Sequence, residues 1–282
     1  MAVASNTNYY SNAIVGTPQV GADIDIHDIH STPRFAVGFG FERSDGAKFR
    51  YAQFGAATAA SRLVSVDVSE SAIIASIATN TGLASNTTTA VAGEAALPGA
   101  AGSHYVEVTA TPANTQTFAG GYLGVTGGTS QGYMYRIKNS TATGTPSTSR
   151  SRLQLFEPLA VSIDTTSDLT IFGSPYANAE AASFTADALV IGVTMAAPSA
   201  ADYAWVQTKG LALCLQDAET GVIGQPMFLS STTAGAVAAL DLVTVVNTST
   251  GVGLESINQP IVGYLVDNGG SAGSSLVYLT LE

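Results

Sequence analysis

From Phe35 onward, apolar and polar positions alternate with a period of two along most of the chain. Phe35, Val37, Phe39 and Phe41 fall on one face of such a strand, and Ala36, Gly38 and Gly40 on the other. Asp45-Gly46 then supplies a turn, and Phe49 to Phe54 reads as the returning strand. The same reading predicts strands over 63–68, 105–109, 133–138, 153–156 and 169–172. A second series is predicted over 189–195, 203–208, 211–215, 227–229, 242–246, 261–266 and 276–281. Short strands separated by Gly, Ser, Thr and Asn turns are the mark of sandwiches and barrels. The expectation is an all-β protein with about 40% strand and under 10% helix. Two alanine-rich stretches, 71–78 and 177–188, leave room for a short helix each.

A weak internal repeat runs at an offset that aligns Val37-Gly38-Phe39 with Ile191-Gly192-Val193. In the same register, Phe49, Tyr51, Ala52 and Gln53 align with Tyr203, Trp205, Val206 and Gln207. One hairpin used twice predicts two related barrel- or sandwich-like β-units. The expected division is an extended N-terminal arm over 1–34, a first β-unit with exposed hairpin loops over 35–185, and a second over 186–282. The Ser/Thr/Gly stretch 139–151 reads as an exposed hairpin loop, because similar strands flank it. In the arm, Tyr9, Tyr10, Ile14 and Val15 supply too little apolar surface to fold alone but enough to dock. They are the candidate assembly contacts.

Composition narrows the function classes. The chain has 282 residues, 46% of them hydrophobic and only 11% charged, against about 25% charged in ordinary soluble domains. Its polar surface must therefore come from Ser, Thr, Asn and Gly, and the 29 glycines fit many tight turns. Ten Lys+Arg against 21 Asp+Glu leave a net charge of −11. That sign disfavours nucleic acid, which needs a basic surface, and anionic lipid. No apolar run is long enough to predict a membrane-spanning helix. The first ten residues have no basic start and no apolar core segment, so no signal peptide is expected.

Candidate chemistry is sparse. Cys214 is the lone cysteine, so intramolecular disulfides and multi-cysteine metal sites are excluded; its setting, Leu211-Ala212-Leu213-Cys214-Leu215, predicts a buried thiol. Gly269-Gly270-Ser271-Ala272-Gly273 matches the nucleophile-elbow text, but a strand rather than a helix follows and no histidine lies downstream. It reads as a hairpin turn. His27-Asp28-Ile29-His30, preceded by Asp23 and Asp25, is the densest cluster of ligand-type residues. On a strand, however, its two histidines would point to opposite faces, so an exposed polar piece of arm is expected. His104 has no nucleophile or base near it in sequence. Tyr133-Met134-Tyr135-Arg136-Ile137-Lys138 could be a stacking platform. The simpler reading puts Tyr133, Tyr135 and Ile137 in the core and Met134, Arg136 and Lys138 outside. No catalytic residue, metal site or cofactor is expected, and no enzyme activity.

Several stretches recur together in order: Gly120-Gly121-Tyr122-Leu123, Gly132-Tyr133-Met134-Tyr135-Arg136-Ile137, Leu153-Gln154-Leu155-Phe156-Glu157-Pro158-Leu159 and Ser174-Pro175-Tyr176-Ala177-Asn178. Ala204-Trp205-Val206-Gln207-Thr208-Lys209-Gly210, Gly224-Gln225-Pro226-Met227-Phe228-Leu229-Ser230-Ser231 and Ile261-Val262-Gly263-Tyr264 follow. This series resembles the decoration, or cement, proteins of tailed-bacteriophage capsids. The resemblance implies a β-rich virion structural protein, a homotrimer on the outer capsid surface that bridges major capsid protein subunits. The alternative is a tail-fibre or spike β-domain that recognises host carbohydrate. Low charge suits the first role, because few charges must be desolvated at contacts.

Overall fold

The computed structural model describes residues 24–67, 75–77, 98–108, 118–141, 146–147, 150–164, 166–183, 188–217, 221–239, 261–269 and 273–282. Among them there is no helix and about half lie in strands, so the protein is all-β. The described residues fall into two compact units, one made of those up to Asp67 with those from Tyr176 onward, the other of those between Val68 and Pro175.

Unit 1 begins with β1 (Ile29–His30), β2 (Gly40–Glu42), β3 (Lys48–Gln53) and β4 (Leu63–Asp67). Unit 2 follows with β5 (Ala75–Ile77), β6 (Tyr105–Val108), β7 (Tyr122–Gly127), β8 (Met134–Ser140), β9 (Pro146–Ser147), β10 (Arg150–Leu155) and β11 (Asp168–Phe172). The chain then returns to unit 1 for β12 (Ala179–Ala181), β13 (Ala188–Thr194), β14 (Tyr203–Leu215) and β15 (Pro226–Leu229). It ends with β16 (Val237–Ala239), β17 (Ile261–Asp267) and β18 (Ser274–Thr280). The unit boundaries thus differ from the sequential division at 34/35 and 185/186. The physical reason is strand pairing: β4 lies between β12 and β13, and β3 pairs with β14, so both ends of the chain build one sheet.

That sheet runs β12-β4-β13-β14-β18-β17-β15-β16, with β1 and β3 also on β14 and β2 on β3. It is strongly curled into a half-barrel. The curl brings distant strands together around residues 235–237. Leu63 N–H donates to Gly235 O (2.8 Å), Gly235 N–H to Ala182 O (2.7 Å) and Asp217 N–H to Val237 O (2.9 Å). Leu63, Val193, Ala212, Cys214, Met227, Leu229, Val262, Val277 and Leu279 fill the concave side.

The two repeat copies are neighbours inside this one sheet. Tyr203 faces Gln53, Trp205 faces Tyr51 and Gln207 faces Phe49 across the β3–β14 pair. Their aromatics make a second core: the Trp205 ring meets Phe41 at 4.8 Å, Tyr51 at 5.0 Å and Phe35 at 5.2 Å between centroids. Such pairs each contribute about 0.5–1.5 kcal/mol beyond burial. The hairpin before it turns at Asp45-Gly46 as expected. Gly46 sits at φ 82° and Asp45 Oδ1 accepts the Ala47 N–H.

Period two misleads between Phe35 and Phe39. Ala36 O accepts the Phe39 N–H (2.9 Å) around Gly38 at φ 84°, a turn that only glycine makes without strain. The strand therefore starts at Gly40, although Phe35 and Phe39 still pack on the aromatic core. The strands expected over 203–208 and 211–215 are one strand, β14, whose pairing with β3 shifts register between Gln207 and Lys209, with Gly210 at φ 94° just beyond. The alanine-rich stretches hold β5 and β12 and the start of β13 where they are described, with no helix there. The strand expected over 242–246 lies outside the described residues.

Unit 2 is one sheet, β5-β11-β7-β8-β10-β6, with β9 on β10. Its inner face carries Leu123, Val125, Tyr135, Ile137, Leu153, Leu155, Leu169 and Ile171, covered by Phe118, Leu159 and Ile163 from the connections. β8 and β10 pair as a hairpin, as the flanking strands of 139–151 suggested. The Tyr135 hydroxyl stays satisfied in this core by accepting the Ala160 N–H at 3.2 Å.

Candidate interaction surfaces

The candidate assembly contacts Tyr9, Tyr10, Ile14 and Val15 lie outside the described residues, as does Asp23. Residues 24–34 of the expected arm are described, and they belong to the body of unit 1. Ile24 and Ile26 pack on the aromatic core, and β1 pairs with the start of β14.

The Asp/His stretch forms a turn, not an extended strand: Asp25 O accepts the Asp28 N–H (3.3 Å) and Asp25 Oδ1 the His27 N–H (2.9 Å). Its histidines diverge. His27 Nδ1 turns to Met195 O at 2.9 Å, whereas His30 is buried with Nδ1 2.9 Å from the Tyr51 hydroxyl. That hydroxyl also accepts the Arg34 N–H (3.4 Å), and burial pushes it above its ordinary pKa. The expectation of an exposed polar segment thus fails at His30, because β1 carries it under the aromatic core. Among the described residues no three His, Cys, Asp or Glu side chains form a metal-binding group.

The other sequence candidates have structural places. Cys214 is wholly buried, and desolvation pushes its thiol up to about 12. Gly269 and Gly273 flank the connection between the antiparallel β17 and β18, and Ser271 lies outside the described residues. His104 offers its carbonyl to the Leu155 N–H at 2.7 Å.

Two polar clusters had no sequence signal, because distant segments assemble them. Asp217 Oδ2 accepts hydrogen bonds from the Ser230 and Thr232 hydroxyls, the latter at 2.6 Å, while Ser230 Oγ accepts the N–H groups of Thr232 (3.1 Å) and Thr233 (2.9 Å). This network fixes the turn that leads to Gly235. In unit 2 the buried Glu107 carboxylate receives Arg152 at 2.7 and 3.2 Å.

Two outward sheet faces remain. On unit 1, cross-strand register puts Leu211 (β14) beside Tyr278 (β18), Tyr278 beside Tyr264 (β17) and Tyr264 beside Pro226 (β15). Directly opposed residues share a face, so these four make one lateral row without a charged side chain. Leu211 and its face-mate Leu213 are each 55% exposed, Tyr264 45% and Tyr278 42%, and Val266 adds a further exposed apolar group. The alternation of β14 turns Ala212 and Cys214 inward and leaves these leucines outside.

On unit 2, Tyr135 and Ile137 are buried and Met134, Arg136 and Lys138 exposed, as expected. Tyr133 departs from that reading: it lies ahead of the strand, half exposed and stacked on Tyr135 at 6.3 Å. The register places Tyr122 beside Arg136 and Gly124 beside Met134 on the outer face. The Arg136 guanidinium lies over the Phe156 ring, 5.1 Å from its centroid, and that ring is 48% exposed.

A scan against protein-family models, a search of curated proteins and a search of solved structures each return no match to this chain.

Proposed function

We propose that this chain is a virion structural protein that decorates and stabilises the outside of an icosahedral phage capsid by bridging major capsid protein subunits. The observation that carries the proposal is the uncharged apolar row on the outer face of unit 1. Exposed apolar patches of this kind mark protein–protein contacts more often than catalytic sites. Leu211, Leu213, Tyr264, Val266 and Tyr278 each expose more than a third of their surface, and burying each contributes about 1 kcal/mol before the cost of association is subtracted. A specific interface covers about 800 Å² per partner, so one such contact is too small to be permanent alone. Several symmetry-related contacts, as on a capsid lattice or within a homotrimer, make it stable.

Low charge supports the same role. A contact built from Leu, Tyr and Pro leaves no buried ion to compensate. The test is the double substitution Leu211→Glu/Tyr278→Glu. It leaves the circular dichroism spectrum and melting temperature near those of the parent, because both side chains point outward, and lowers occupancy on capsids at least tenfold. Unchanged occupancy would remove the face from the contact. Sedimentation of the free protein checks the trimer.

A further inference from the structure

We propose that the outer face of the unit 2 sheet binds an acidic polysaccharide, a sugar chain whose carboxylates are spaced by neutral residues. Charge is the first ground. Four of the ten basic residues, Arg136, Lys138, Arg150 and Arg152, fall within the hairpin of β8 and β10, and residues 134–155 contain no Asp or Glu. Glu107 neutralises Arg152 and Glu157 borders Arg136, but the four cations still outnumber these two carboxylates, a local excess of positive charge in a chain of net charge −11.

Geometry is the second ground. Tyr122 and Arg136 are cross-strand neighbours on the outer face, and Arg136 lies against Phe156, so two aromatic side chains flank one guanidinium. Aromatic faces suit the apolar C–H faces of sugar rings, and a guanidinium binds a carboxylate through two parallel hydrogen bonds. Arg136 forms no ion pair among the described residues, although Glu157 Oε2 accepts its backbone N–H at 3.4 Å. Contact with the Phe156 ring holds its guanidinium in place before any ligand arrives, which reduces the ordering cost of binding. Lys138 is exposed two residues along the same strand, about 6.7 Å away by strand rise. The two cations on one strand face give an extended anionic chain more than one point of contact.

Shape is the third ground. Gly124 faces Met134 on this surface, and a Cβ added there would meet nothing nearer than Thr170 O at 3.8 Å. The glycine leaves a shallow recess beside Tyr122. Gln154, on the outer side of β10, adds an amide for sugar hydroxyls. A nucleic acid would call for a basic groove that tracks a phosphate at every residue, which this short patch does not provide. The face belongs to unit 2 and shares no residue with the apolar row of unit 1, so the two proposals stand or fall separately.

The test is calorimetric titration of the full-length chain with hyaluronan oligosaccharides, with neutral dextran and oligo(dT) as comparison probes. Saturable binding to hyaluronan, at least tenfold tighter than to either comparison, is expected. Arg136→Gln should weaken it at least tenfold, and Gly124→Glu should do so by filling the recess with a like charge, both at an unchanged melting temperature. Leu211→Ser, on the other unit, should leave it unchanged. No saturable hyaluronan binding, equal binding to dextran, tighter binding to oligo(dT), or full binding by Arg136→Gln would each overturn the proposal.

Discussion

Raising the pH tests the packing of the half-barrel through a single atom. Cys214 sits on β14 with its thiol in the concave core, and desolvation raises its pKa from 9.0 to about 12. The folded pKa lies above the unfolded one. The stabilisation is therefore fully present below pH 9 and is lost as pH rises toward 12, because the unfolded chain releases the thiol proton while the folded one retains it. At pH 10.5, this linkage costs about 2 kcal/mol, from about 1.4 kcal/mol per pH unit above the unfolded value. Cys214→Ala removes the titration while leaving other ionisable groups in place. Urea unfolding should be followed by the fluorescence of Trp205, the lone tryptophan, which lies in the same unit. The stability difference between parent and Cys214→Ala should shift by about 2 kcal/mol toward the variant between pH 8 and pH 10.5. A constant difference over that range would refute the buried placement of the thiol, as would rapid labelling of the native protein by a thiol reagent at pH 8.

Further expectations concern each unit. Arg152→Ala leaves the Glu107 carboxylate buried beside an empty site and should lower stability by about 2–3 kcal/mol, less than a fully buried pair because Arg152 retains solvent contact; Glu107→Gln combined with Arg152→Met should recover most of it, measured by urea unfolding with circular dichroism. Gly263→Ala should prevent correct pairing of β17 with β18, since the new Cβ would fall 2.2 Å from Tyr278 O; a melting temperature close to that of the parent would contradict the register. Gly124→Ala, with open space around its Cβ, should change stability by less than about 0.5 kcal/mol.

Period two made β3 and β18 readable from the residues, because their buried side chains fall on alternate positions over most of their length. β4 and β13 instead bury consecutive residues, Leu63 to Val66 and Val190 to Thr194, and are readable as short apolar runs. Period two failed where glycine intervenes. Gly38 converts an apparent strand into a turn, and Gly124 interrupts the apolar–polar alternation within β7, so the period does not predict that strand. Pairing partners were not legible. Nothing local states that β4 joins β13 more than a hundred residues away, or that the two repeat copies face each other across β3 and β14. The surfaces follow the same rule. Leu211 and Leu213 are visible as alternation, but their outward direction depends on the register shift near Gly210. Arg136 was visible as an exposed cation, whereas its contact with Phe156 and its pairing with Tyr122 exist only once β7, β8 and β10 are side by side.

The location of the chain on an assembled particle tests the proposed function most directly. Virions that carry the chain should be labelled with antibody fragments raised against it and imaged by cryo-electron microscopy. Label is expected over the whole outer shell, in a repeating pattern set by the capsid lattice, and is expected to be lost from particles assembled with Leu211→Glu/Tyr278→Glu. Label confined to the tail tip, or particles without label, would contradict the proposed function.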